Sequence, residues 1–272
     1  MQSRYFMCPP VHFAVRYSIN PWMNPARPVD VGRALQQWRA LRDQLARMGH
    51  VVDLIRPDPH LPDMVFAANG GIVIGDRALV PRFRHQERAD ESGRFMAAFR
   101  SAGIAEVRQS RHVNEGEGDF RVTGDRILAG VGLRSEPNAV DEVSDYFGLP
   151  TIGLRLVDDR FYHLDTALAV LDVDTVAYWP GAFDRTSAGM LRELYPDAII
   201  ASEQDAAALA LNMVSDGSVV VVPPGRARLV AQIAERGFVV AELAMDELLK
   251  AGGGAKCCVL EHHGFSAADA AA

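Results

Sequence analysis

Two hydrophobic periods take turns along this chain. Over 31–49, Leu35, Trp38, Leu41, Leu45 and Met48 recur every three or four residues, the spacing of one helix face. The period returns over 88–102 (Phe95, Met96, Phe99), 138–148 (Val140, Val143, Phe147), 187–195 (Met190, Leu191, Leu194) and 226–237 (Leu229, Val230, Ile233). Gly49, Gly103, Gly148 and Gly237 stand where such helices should stop, since glycine accepts the left-handed cap. A short apolar strand is predicted after each helix, at 51–55, 104–107, 150–154, 198–200 and 239–243.

Between the helical stretches the period shortens to two. Segments 72–80 and 120–128 both read as strand, tight turn, strand, with Gly-Asp-Arg turns at 75–77 and 124–126. A third copy spans 168–178 with Asp174-Thr175 as its turn, and a fourth spans 211–221 with Asp216-Gly217. The chain therefore reads as about five ββαβ units of roughly 50 residues, since successive turns are spaced by one supersecondary unit. The first hairpin is expected to be split between the two ends, 11–20 and 257–261, as in a ring whose last strand closes on its first unit. Repeats that bury little alone share a continuous core. One domain is expected over 1–263, with a disordered tail at 264–272. The competing reading is an ordinary α/β sandwich with accidental Gly-Asp turns.

The 272 residues are 49% hydrophobic and 23% charged, which is globular. The longest purely aliphatic run, 219–222, is far too short to span a bilayer, and 1–10 lacks a signal-peptide pattern. A net charge of −7 argues against a nucleic-acid partner and is compatible with a small cationic substrate. Three cysteines, two of them adjacent, make no disulfide framework and fit a reducing, cytoplasmic setting. His262 and His263 are expected to be a solvated pair in a fraying end rather than metal ligands.

Polar residues gather where bland packing would not put them. Four segments stand before or inside the hairpins: Pro62-Asp-Met-Val-Phe-Ala-Ala-Asn-Gly-Gly71, Asn114-Glu-Gly-Glu-Gly-Asp119, Phe161-Tyr-His-Leu-Asp-Thr166 and Gly252-Gly-Gly-Ala-Lys-Cys-Cys258. Equivalent positions of a pseudosymmetric ring converge on its axis, so a central site is expected. Cys257 follows a triple glycine, which lets a loop approach a ligand closely. A cysteine nucleophile needs a proton acceptor; His163 is the natural one, with Glu115 to orient it.

At these residues the chain resembles the guanidino-group-modifying enzymes of the pentein fold, a five-fold pseudosymmetric α/β propeller. The resemblance runs from Met7 to about Glu261. His163-Leu-Asp-Thr166 is similar to the family's His-x-Asp motif, Glu115-Gly-Glu-Gly-Asp119 to its Glu-Gly-x-Gly-Asp segment, and Gly253-Gly-Ala-Lys-Cys257 to its nucleophile loop. It implies Cys257, His163 and Glu115 as catalytic residues. It further implies Asp165, Asn69, Asn20, Phe66, Arg88, Arg134 and Asp119 as substrate-binding residues, with Arg88 and Arg134 holding a carboxylate. Neither metal nor cofactor is implied, and a homo-oligomer is allowed.

Asn69 stands where arginine deiminases of this fold carry an aspartate. An amide can donate to the ureido oxygen of citrulline, which a carboxylate would repel. Asn20 and Asn69, with Met7-Cys-Pro-Pro10 and Ile19-Asn-Pro-Trp-Met23, are similar to the arginine dihydrolase branch. That resemblance implies conversion of arginine to ornithine, ammonia and carbon dioxide. The alternative is dimethylarginine hydrolysis to citrulline and dimethylamine. A lesser one is a non-catalytic pentein such as the ribosome-binding anti-association factors, which would not need a Cys/His/carboxylate set.

Overall fold

The computed structural model describes residues 2–264, so the expected tail lies outside the described residues except for Gly264, which sits in a turn. In chain order the strands and helices are β1 (Arg4–Met7), α1 (Val31–Arg47), β2 (Val51–Leu54), β3 (Ile72–Ile74), β4 (Arg77–Arg82), α2 (Glu91–Ser101), β5 (Glu106–Val113), β6 (Phe120–Thr123), β7 (Arg126–Val131), α3 (Asn138–Phe147), β8 (Thr151–Arg155), α4 (Leu164–Ala167), β9 (Leu168–Val170), β10 (Val176–Tyr178), α5 (Arg185–Leu194), β11 (Ile199–Ile200), α6 (Glu203–Ala207), β12 (Val214–Ser215), β13 (Val219–Val222), α7 (Ala227–Glu235), β14 (Val239–Glu242) and β15 (Leu260–His263).

The strands form triplets of one pattern: the first pairs antiparallel with the second, and the second pairs parallel with the third. This holds for β3-β4-β5, β6-β7-β8, β9-β10-β11, β12-β13-β14 and β15-β1-β2. A parallel neighbour requires a long crossover, and in each triplet a helix supplies it. β15 also pairs parallel with β3, joining two triplets into a six-stranded sheet. The architecture is mixed α/β.

Each crossover helix buries one stripe. Ala34, Trp38, Leu41 and Leu45 of α1 pack with Tyr5 and Met7 of β1. Phe95 and Phe99 of α2 pack with Val73 and Val80, and Val143 and Tyr146 of α3 with Leu79 and Ile127. Each such large apolar side chain contributes about 2 kcal/mol on burial. Asp30 caps α1 by accepting from the Arg33 amide, and Asp184 caps α5 by accepting from Ser187, each contributing about 1 kcal/mol. Among the described residues no helix is long and apolar enough to cross a membrane.

Three expectations need correction. The first hairpin does not use 11–20: β1, further upstream, pairs with β15. Val11, Phe13, Val15, Tyr17 and Ile19 alternate as a strand would, yet form no ladder. Alternation reports one buried side, not a hydrogen-bonded neighbour. Here Phe13 and Val15 anchor an irregular segment bracketed by Pro9, Pro10 and Pro21. Second, Cys257 lies in a 3-10 turn, Lys256–Cys258, and the strand begins only at Leu260. Third, His262 and His263 are not a solvated pair. They are strand residues of β15, with His262 bonded to the Gly75 carbonyl and His263 to Glu117.

In front of each triplet's first strand the chain makes a short helical or turn-like passage that presents a polar side chain. Asn69, Glu117, Asp165 and Cys257 stand three residues ahead of β3, β6, β9 and β15, and Asn212 two ahead of β12.

Candidate active site

Cys257 is buried, and its surroundings are polar. The side chain of Asn212 donates to the sulfur at 3.1 Å, while its oxygen accepts from the Cys257 and Gly254 amides at 3.1 and 2.9 Å. One amide thus clasps both the nucleophile and its loop. The thiol donates to Asp165 Oδ2 at 3.2 Å. Burial, then the neighbouring Asp165 charge, raise the thiol's pKa well above its ordinary value. Burial pushes the Asp165 carboxyl up to about 7, against the hydrogen bond from Cys257 and the field of Arg121.

Gly253 is where the glycine-rich loop permits close approach. A Cβ there would collide with the Phe66 ring and come within 3.1 Å of the Cys257 Cβ. Phe66 in turn meets Phe13 edge to face with ring centres 5.7 Å apart, which fixes a flat apolar wall beside the sulfur.

His163 does not touch the thiol through a hydrogen bond. Its Nε2 lies 2.7 Å from Glu115 Oε2, and its Nδ1 has no partner. Burial lowers the imidazole pKa to about 4 despite Glu115, so the ring is neutral at pH 7. A carboxylate only accepts, so Nε2 carries the proton and Nδ1 presents its lone pair. Burial alone would raise Glu115, but Arg134 and the His163 hydrogen bond hold it well below the usual carboxylate range. A Cβ at Gly118 would lie 3.2 Å from His163 Nδ1 and collide with Asn69 Nδ2. Glycine at 118 therefore keeps open a space that both groups border.

A narrow cavity with room for about 10 Å³, roughly one water, reaches Cys257. Asn20, Phe66, Asn69, Arg88, Arg134 and Cys257 line it, joined by Ile19, Met23, Asp63, Tyr162 and Ala251. Arg88 forks onto Glu91 at 3.0 and 2.8 Å and donates Nη1 to Asn69 Oδ1 at 2.8 Å. Arg134 donates to Glu115 at 2.6 Å and to the Ile19 carbonyl at 2.8 Å, with its guanidinium over the Tyr162 ring. Asn20 ties two lining segments together: its oxygen caps Trp22 and Met23, and its NH₂ reaches the Ala251 carbonyl. A larger groove lies elsewhere, lined by Asp53, Leu54, Arg56, Asp58 and Arg94, and it contains no cysteine.

Asp119 is the one predicted substrate-binding residue whose carboxylate is fully engaged by the protein. It accepts from Ser135 at 2.6 Å and from the Leu164 amide at 3.2 Å, so it holds the start of α4 rather than facing the cavity. Asp165, His163 and Glu115 stand beside the lining, not in it.

Sequence reasoning missed Asp63 and Asn212. Asp63 is buried in the cavity lining; Tyr17 donates to one oxygen at 2.8 Å and the other has no partner. It lies within the polar segment 62–71, whose residue types give no reason to prefer it over its neighbours. Asn212 occupies in its unit the position that Asn69, Asp165 and Cys257 occupy in theirs, so applying the repeat one unit further would have found it.

A buried cysteine, an imidazole with an unused lone pair, two carboxylates and two arginines around one small cavity form a guanidino-hydrolase constellation on a pentein-type fold. A family model described as eukaryotic N,N-dimethylarginine dimethylhydrolase matches residues 20–264. The dimethylarginine dimethylaminohydrolase of Mycobacterium tuberculosis is 50% identical over 260 residues, covering 96% of this chain and 86% of that one. The bifunctional arginine dihydrolase/ornithine cyclodeaminase ArgZ of Synechocystis is 37% identical over 263 residues, and this chain spans 37% of its length. The substrate-bound N-terminal domain of ArgZ superposes with a TM-score of 0.92 at 36% identity, covering 96% of this chain and 98% of that one. The chain belongs to the dimethylarginine dimethylaminohydrolase family, a group of hydrolases acting on guanidino groups.

Proposed function

We propose that this protein hydrolyses the guanidino C–N bonds of arginine through Cys257, giving ornithine, ammonia and carbon dioxide. The reading takes residues 1–263 as one catalytic domain of five pseudosymmetric units around the site. The observation that carries the assignment is Cys257, hydrogen-bonded to Asp165, opening on a cavity that Arg88, Arg134 and Asp63 also line. The arginines suit an α-carboxylate and the unpartnered Asp63 oxygen suits an α-ammonium, which together describe an amino-acid head group. The guanidinium then lies against Phe66 and reaches the sulfur.

In the resting site the thiol is protonated and Asp165 accepts from it. An arriving guanidinium competes for Asp165 and brings the positive charge that favours thiolate. His163 is neutral, so its Nδ1 takes the thiol proton as the S–C bond forms. It returns that proton to the departing nitrogen as the C–N bond breaks, releasing ammonia. Water, deprotonated by the same Nδ1, attacks the thiouronium carbon. The tetrahedral adduct collapses, sulfur leaves as thiol, and citrulline remains. A second round on citrulline yields ornithine, ammonia and carbon dioxide. Glu115 holds the imidazole throughout. Neither step calls for a metal or cofactor.

Asn69 supports the second round. Its orientation is fixed by a donor on one side, Arg88, and an acceptor on the other, the Glu115 carbonyl at 3.2 Å. One N–H is left for a neutral ureido oxygen. In Asn69→Asp, the new carboxylate pairs with Arg88 and sets an oxygen against the Glu115 carbonyl. The product should shift from ornithine toward citrulline.

The second reading, hydrolysis of dimethylarginine to citrulline and dimethylamine, is favoured by the 50% identity to the mycobacterial enzyme. Amino-acid and amine analysis after separate incubation with arginine and dimethylarginine decides. Ornithine from arginine supports the first reading. Dimethylamine, with arginine untouched, replaces it by the second.

A further inference from the structure

Glu117 joins the two halves of the reacting end. It stands in the 3-10 turn Gly116–Gly118. On one side is Glu115, which holds His163; on the other is Gly118, where a Cβ would come within 3.2 Å of His163 Nδ1. The Glu117 carboxylate is buried, and its Oε2 accepts from Lys256 Nζ at 2.6 Å and from the Glu261 amide at 3.1 Å. Lys256 immediately precedes Cys257. One carboxylate therefore ties the turn beside the proton carrier to the nucleophile loop and to β15.

The second oxygen, Oε1, is held by His263, whose Nε2 lies 2.7 Å away. Among the described residues no other donor meets that oxygen. A carboxylate only accepts, so Nε2 carries the proton. Nδ1 of the same ring lies 3.9 Å from Glu261 Oε1, so a protonated ring spans two carboxylates. Glu117 and Lys256 are buried, whereas His263 and Glu261 are half-buried. Neither Glu117 nor His263 lines the cavity.

We propose that His263 is a positioning residue: by donating Nε2–H to Glu117 it fixes the 116–118 turn and, through Lys256, the nucleophile loop, so that His163 and Cys257 keep the geometry their chemistry needs. This inference rests on the reading that Cys257 and His163 carry the reaction. A misplacement of about 1 Å at reacting groups costs on the order of 10²-fold in rate, so a slack joint is felt in kcat although no substrate contact is lost.

The charges facing the imidazole are Glu117 from the turn, Glu261 from its own strand and Arg121 from β6, with Lys256 sharing Glu117. Burial works against the charged ring, but Glu261 and Glu117 outweigh it and raise the pKa above its ordinary value. In the wild type Lys256 keeps Glu117 paired whatever the state of His263. In Lys256→Met the protonated His263 is the one cation still hydrogen-bonded to Glu117, and that charge is lost as pH rises through the imidazole pKa.

The test measures kcat and KM on whichever of arginine and dimethylarginine the wild type turns over. Rates are expressed per Cys257 that 2-chloroacetamidine can alkylate, counted by mass spectrometry, which removes any misfolded fraction. His263→Phe, a ring without a donor, should lower kcat roughly tenfold with KM little changed. His263→Gln carries an amide N–H that reaches the same oxygen, so kcat should recover to within about twofold of the wild type. Where His263→Phe does not fold, His263→Asn, whose amide falls short of Glu117, should show the same loss. In Lys256→Met, the kcat that remains should decline further as pH rises through the imidazole pKa, and Lys256→Met/His263→Gln should lack that decline. An unchanged kcat in His263→Phe, an equal loss in His263→Gln, or a pH decline that survives in the double variant overturns the inference and leaves the reaction assignment intact. Failure of the wild type to be labelled at Cys257, or to turn over either substrate, overturns the site reading itself, and the inference with it.

Discussion

The head-group end of the cavity and its reacting end are built on opposite electrostatic plans. At the proposed head-group end the arginines are buried in close pairs, Arg88 with Glu91 and Arg134 with Glu115, and burial still lifts Glu91 to about 7 against the field of Arg88. At the reacting end the three groups closest to the chemistry are held toward their neutral forms by burial. The Cys257 thiol is raised, the Asp165 carboxyl is raised to about 7, and the His163 imidazole is lowered to about 4. A buried charge is tolerated only when paired, and neither Cys257 nor Asp165 has a cationic side chain in hydrogen-bond contact among the described residues. In the proposed reading, the paired arginines recognise the substrate and the Cys257–Asp165 pair acquires its charge from it. A resting thiol is thereby protected from adventitious electrophiles.

The largest expected effect comes from removing the nucleophile. Cys257→Ser should abolish turnover, whereas Cys258→Ala should retain most of it, because Cys258 is packed in the apolar core beside Met7 and Val259. Product assays on both variants check this; a dead Cys258→Ala beside an active Cys257→Ser would reverse the assignment. His163→Gly removes the proton carrier and should cost roughly 10²–10⁴ in rate. Any adduct that forms should persist, visible by mass spectrometry as an enzyme carrying the whole substrate less one ammonia. Full steady-state activity would mean another base does the work.

The supports of the reacting end come next. Lys256 precedes the nucleophile, and its ammonium is buried against Glu117 at 2.6 Å and the Val259 carbonyl at 2.7 Å. Glu117 sits two residues from Glu115, so one turn braces both the nucleophile loop and the proton carrier. Lys256→Met should lower kcat about tenfold or more with KM little changed, and Lys256→Arg should recover part of the loss; a KM effect alone would place Lys256 outside the reacting end.

The smallest effect is on pH dependence. Asp165 must be ionised to receive a guanidinium, so kcat/KM should fall about tenfold per pH unit below about 7. The stability effect has a fixed sign. The folded pKa lies above the unfolded value of about 3.9, so the protonated form stabilises the fold at low pH. That contribution is lost as pH rises from about 4 to about 7. Asp165→Asn should therefore gain stability over the wild type across that window and hold the gain above it, which denaturation at pH 5 and pH 8 measures. A constant difference between the two pH values would remove Asp165 from the account.

Periodicity in the sequence determined the repeating units and most of the site. Helical spacing located α1, α3, α5 and α7 to within a few residues, because a buried stripe every three to four residues is a local property of the chain. The Gly-Asp turns located the hairpins, and the motifs around Asn69, Glu115, His163 and Cys257 named residues that the fold gathers at the candidate site. Tertiary structure decided which strand closes on β15, since a ladder requires a partner that alternation over 11–20 cannot specify. It also decided that Asp119 braces α4, that Asn212 clasps the sulfur, and that His163 makes no hydrogen bond to Cys257. Each of these is a choice among acceptors and donors brought together from distant parts of the chain, and a hydrogen bond between residues tens of positions apart leaves no mark on local pattern.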